Sequence, residues 1–121
     1  MTLVSQGKPA RSRSLHISCT VSGTNYTLYT CPANCVAEMT MLLLVGVTDS
    51  PSIDVTWTTA TDGEICHLLG GKNISIGEFI LFTGATLVLQ PGDTVKVKAT
   101  SNSAMRLDAA CTVTETFIPI G

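Results

Sequence analysis

The chain has 121 residues and a mass of 12.7 kDa, which fits one domain with a real core and no need of staples. Charged residues make up only 13%, against about 25% in an ordinary soluble domain. A mean hydropathy of +0.37 with net charge -2 and pI near 5.5 excludes a disordered chain and argues against a basic nucleic-acid module. The longest apolar run, Met41 to Val47, has seven residues, far short of the ~20 that span a bilayer as a helix. Neither nucleic acid nor a membrane is therefore expected as a partner.

Residues 1–13 stand apart. They hold Lys8, Arg11 and Arg13, no acid, and Gly7 and Pro9 as breakers. The basic residues follow the few apolar ones, so the segment does not read as a secretory signal. It reads as an extended N-terminal arm, with Lys8, Arg11 and Arg13 as partner-binding residues that meet acidic groups on a neighbouring subunit.

From Ser14 to the end, residues 14–121, the pattern is strand and turn. Leu15, Ile17, Cys19 and Val21 alternate with polar residues and share one face. A turn at Gly23–Asn25 leads to Tyr26–Cys31, which Pro32-Ala33-Asn34 ends. Val36–Val47 is long and apolar and reads as a buried central strand. After the 48–52 turn, Ile53, Val55 and Trp57 point inward, and Asp62-Gly63 marks a hairpin to Glu64–Leu69. Gly70–Asn73 reads as another turn. Phe79–Phe82 and Thr86–Leu89 read as two short strands parted at Thr83-Gly84. Thr94–Thr100 alternates most cleanly, with Val95, Val97 and Ala99 inward and Lys96 and Lys98 outward. Residues 110–118 close the chain. The fold class is all-β: an antiparallel β-sandwich or jelly-roll-like barrel of about eight strands.

Groups that could carry chemistry are few. His16 and His67 each sit on a strand among neutral neighbours, which suits a structural residue better than a base. Cys31, Cys35, Cys66 and His67 include one zinc-like spacing, but Cys66 and His67 are adjacent and face opposite sides of a strand. No metal or cofactor follows from them. Cys31 and Cys35 are spaced for a local disulfide across the Pro-Ala-Asn turn; the other outcome, favoured in a reducing cytoplasm, is free packed thiols. The carboxylates are scattered, with Asp49, Asp62 and Asp93 in turns and Asp54, Glu64 and Glu115 at outward strand positions. Trp57 reads as core. No nucleophile and base are assembled, so an enzyme is not expected. The weakly charged, hydroxyl-rich surface suits assembly, because docking it desolvates little charge.

Three stretches carry a resemblance: Tyr29-Thr-Cys-Pro-Ala-Asn followed by Val36-Ala37, Leu87-Val-Leu-Gln-Pro-Gly-Asp-Thr-Val-Lys-Val-Lys-Ala, and Thr112-Val-Thr-Glu-Thr. Together, over residues 26–118, they resemble small β-sandwich structural proteins of tailed-bacteriophage virions, with Cys31 standing where valine is usual. The resemblance implies a non-enzymatic virion protein made in the host bacterial cytoplasm. It implies a capsid decoration (cement) subunit that bridges major capsid proteins as a homo-oligomer, a trimer by family habit. Its rivals are a tail, neck, baseplate or fibre-associated component, and a receptor- or carbohydrate-binding module. No catalytic residue comes with the resemblance, because its motif residues build turns.

Overall fold

The computed structural model describes residues 10–49 and 51–118. It contains eight strands: β1 (Ala10–Cys19), β2 (Asn25–Thr30), β3 (Cys35–Thr48), β4 (Ser52–Thr58), β5 (Ile65–Asn73), β6 (Phe79–Leu89), β7 (Thr94–Thr100) and β8 (Arg106–Phe117). They form two four-stranded sheets, ordered β1-β8-β3-β6 and β2-β7-β4-β5. Every pairing is antiparallel. The first strand pairs with the last, the second with the seventh, the third with the sixth and the fourth with the fifth. The chain is thus one long hairpin wound across two sheets, which is a jelly roll.

Period-two alternation positions the core between the sheets. Val95, Val97 and Ala99 of β7 are fully buried against Ile53 and Val55 of β4. β3 contributes Ala37, Met39, Leu42 and Leu44, its alternation shifted by a bulge between Met39 and Met41. Leu107, Ala109, Cys111 and Val113 of β8 complete the layer. Val21, expected inward, lies beyond the end of β1 and is exposed. Trp57 is half-buried and packs on the edge of the core.

Four further sequence expectations need correction. β1 begins at Ala10, so residues 10–13 are strand and not arm; residues 1–9, including Lys8, lie outside the described residues. Gly70–Asn73 does not end β5. Opposite Ile53 and Val55, β5 fits in an extra residue between Leu69 and Lys72, and Gly71 takes it at a φ of 68°. The glycines make a bulge inside a strand, a use of Gly that resembles a turn in sequence. Phe79–Leu89 is likewise one strand whose register jumps between Thr83 and Leu87. Finally, Glu115 points inward. It continues the row of Cys111 and Val113 and is fully buried.

Gly46 is required for close approach. A Cβ on Gly46 would lie 2.8 Å from the Ser75 carbonyl oxygen. The segment before β6 folds onto it, with the Gly46 amide donating to Glu78 O at 3.0 Å and the Gly77 amide to Gly46 O at 2.7 Å.

Candidate assembly surface

Arg11 and Arg13 share inward parity with Leu15, Ile17 and Cys19. At this end of the sandwich the facing rows change from apolar to charged. Glu115 of β8 sits directly across from Arg11, and its carboxylate accepts three donors. Arg11 Nε lies at 2.6 Å from Oε1, Arg13 at 2.9 Å from Oε2, and Tyr29 Oη at 2.5 Å from Oε2. Tyr29 comes from β2, so the cluster ties the edge strands of both sheets to β8. The guanidinium carbons also lie near rings, Arg11 Cζ 5.6 Å from the Phe117 centroid and Arg13 Cζ 5.8 Å from that of Tyr29.

The electrostatics follow from this geometry. Burial alone would raise the Glu115 pKa, but the hydrogen bonds from Arg13, Tyr29 and Arg11 outweigh it and hold the carboxyl at about 2. Burial, reinforced by the bond to Glu115, pushes the Tyr29 phenol upward. The Glu115 bond raises Arg13. The two arginines keep exposed side chains, at 54% and 40%, while Arg11 Nε and Arg13 Nη2 are engaged by Glu115 within the chain. Nothing in the sequence singled out Glu115 except its place in the alternation.

A second buried carboxylate anchors the turn before β7. Asp93 accepts from Trp57 Nε1 at 3.1 Å, the Ala60 amide at 2.9 Å and the Gln90 amide at 3.0 Å. Burial opposes its ionisation, and these donors overcome that and hold its pKa below the ordinary value.

The candidate ligand residues are not brought together. Cys31 and Cys35 are buried free thiols, not a disulfide. Cys31 Sγ faces the carbonyl oxygens of Cys35 and Leu89, at 3.3 and 3.7 Å, and Cys35 Sγ faces Asn34 Oδ1 at 3.5 Å. Cys66 and His67 are exposed on β5, and His16 is exposed on β1. Among the described residues no three His, Cys, Asp or Glu side chains are grouped to hold a metal ion. Burial pushes the Cys19 and Cys111 thiols up to about 11.

The two sides of the sandwich differ. On one, β1 packs against β2. On the other lie the edge strands β5 and β6, with an apolar cleft of about 230 Å³ lined by Met39, Leu42, Leu68, Phe82 and Leu87 among others. β6 carries no charge from Phe79 to Leu89, and Phe79, Leu81 and Phe82 are 64%, 48% and 42% exposed. Phe82 pairs with inward Leu42, whereas Phe79 and Leu81 pair with Val45 and Leu43 on the outer face. The two rings therefore lie on opposite faces and do not form one platform. Hydroxyls line the far side of the same outer face, where Ser12 meets Thr114 at 3.1 Å and Ser14 meets Thr112 at 3.2 Å.

No protein-family model and no curated protein sequence matches the chain. Solved structures do. A chain in the acid-stable capsid of Helicobacter pylori bacteriophage KHP30 superposes with a TM-score of 0.60 at 9% identity, over 90% of this chain and 94% of that one. A chain of the cyanophage Pam1 capsid asymmetric unit gives 0.51 at 13%, over 98% and 93%. A Bacillus endospore appendage, from a family of disulfide-linked pili, gives 0.53 at 15%, over 98% and 97%. At such identities the likeness is one of fold: this chain is a jelly roll of the kind found in phage capsids and bacterial appendages.

Proposed function

We propose that the protein is a non-enzymatic virion component, a decoration subunit seated on the outside of a phage capsid shell. The observation that carries this reading is the near end-to-end correspondence between this chain and single chains of two phage capsid structures. The match takes in nearly the full length of each of those chains, at 94% and 93%. The surface chemistry supports it. Rows of Ser and Thr hydroxyls on the β1-β8 face and a charge content of 13% let the subunit dock with little charge to desolvate.

The mechanism is bridging. Each copy spans neighbouring major capsid proteins and opposes the outward pressure of packaged DNA through buried area, with no bond made or broken. Arg11 and Arg13 hold their own Glu115, so attachment rests on the apolar and hydroxyl surfaces rather than on those two cations. Co-sedimentation with undecorated shells of the parent phage tests this. Saturable binding that persists as salt rises is expected. Failure to sediment with shells at any salt would overturn the reading.

A further inference from the structure

The β6 edge is unlike the others. β1 carries Arg11 and Arg13, β5 carries Lys72, and β2 is short and packed against β1. β6 pairs only with β3 and has no strand partner on its other side among the described residues. It lacks the charges and prolines that normally guard such an edge; its guard is the register jump after Thr83. The stretch Phe79–Thr83 therefore presents a regular row of free backbone groups flanked by apolar side chains on both faces.

We propose that this edge pairs with the same edge of a second copy, antiparallel and about a two-fold axis near Leu81. The occupant is a second copy because of what β6 would meet. In a two-fold strand pair each residue faces its own kind or its mirror in the row. An uncharged strand meets no like charge there, whereas β1 against β1 would set arginine near arginine. Centred on Leu81, the register puts Ile80 opposite Phe82, an aromatic and β-branched pair of the sort that stabilises sheets. Pairing β6 to β1 instead would lay Phe and Leu against Arg and Ser, and would be a head-to-tail contact that does not close on two copies.

Area agrees with this. On the outer face Phe79 and Leu81 adjoin half-buried Val45 and Leu43 across the register, and on the other face Phe82 lies beside Leu42. Over its two faces the edge exposes on the order of 400 Å² of apolar side chain. With the strand backbone and the rim of the cleft, that approaches the ~800 Å² each partner brings to a standard interface. Two sheets join into one of eight strands, and the unit is a dimer, not the trimer that family habit implies.

The test needs no shell, so its outcome is separate from that of the attachment experiment. Light scattering on the eluting wild-type protein at micromolar concentration is expected to give two chains per particle, twice 12.7 kDa. Leu81→Arg, at an exposed position, is expected to give one chain with an unchanged circular dichroism spectrum. Val21→Arg, exposed just beyond β1, the opposite edge of the sheet from β6, is expected to stay paired. Amides of Phe79–Thr83 in the wild-type protein are expected to exchange more slowly as concentration rises, a readout independent of any variant. One or three chains per wild-type particle, pairing that survives Leu81→Arg, or concentration-independent exchange would each overturn the proposal.

Discussion

Glu115 has the most to lose of any single side chain. Its carboxyl is held at about 2 against an ordinary 4.5, so it contributes stability that is complete above the ordinary value and drains away as pH falls toward 2. The shift corresponds to roughly 3 kcal/mol, discounted because the exposed arginines are screened by solvent. Asp93 and Asp108, also held below their ordinary value, act with the same sign. Urea midpoints at neutral and acid pH are expected to show a steep loss for the wild type. Glu115→Gln should cost about 1–3 kcal/mol at neutral pH and show a shallower acid loss; an equal acid slope in both would contradict the account. Tyr29→Phe removes one of three donors and should cost less. Among the five thiols, Cys66 alone is exposed, so native alkylation followed by mass spectrometry should label that residue and spare Cys19 and Cys111, whose thiolates burial disfavours. Glu115 was misread because charge suggested solvent, although its parity with Cys111 and Val113 was visible in the sequence. What the sequence did not show was that Arg11 and Arg13, a hundred residues away, would come to the same end of the sandwich.

At the scale of elements, β7 and β4 were legible almost residue by residue, since one face of each is buried and the alternation is clean. β5 and β6 were not, because a bulge and a turn use the same residues. Gly71 absorbs an extra residue inside β5, and its amide donates to Asp54 Oδ1 at 2.8 Å, so the strand continues. The β3–β6 connection leans on Gly46. Gly46→Ala would force a Cβ to 2.8 Å from a backbone oxygen, and since a carbonyl in a tight turn yields little, a loss of about 1–3 kcal/mol is expected in thermal or urea melts. Trp57→Ala should cost about 2–4 kcal/mol, because it removes half-buried packing and leaves Asp93 short of a donor. Lys96→Ala, on the outer face, should stay within about 0.5 kcal/mol. Equal midpoints for these last two would show that the inward and outward faces of β4 and β7 are wrongly assigned.

For the whole molecule, the nesting of first strand with last makes β1 the closing piece of the sandwich. Deleting residues 2–13 removes both arginines and leaves Glu115 buried without a cation, a loss of about 3–5 kcal/mol for a broken buried pair. The wrapping order itself was open to sequence reading only as a sandwich or jelly-roll-like barrel of about eight strands. Register between distant strands is set by packing across the core, and no local motif announces it. A decoration subunit on the shell differs from a neck or baseplate part in copy number. The direct measurement is quantitative mass spectrometry of purified virions, counting this chain against the major capsid protein. A fixed ratio of the order of one copy per few capsid subunits is expected. A handful of copies per particle, as at a neck or baseplate, or none at all, would contradict it.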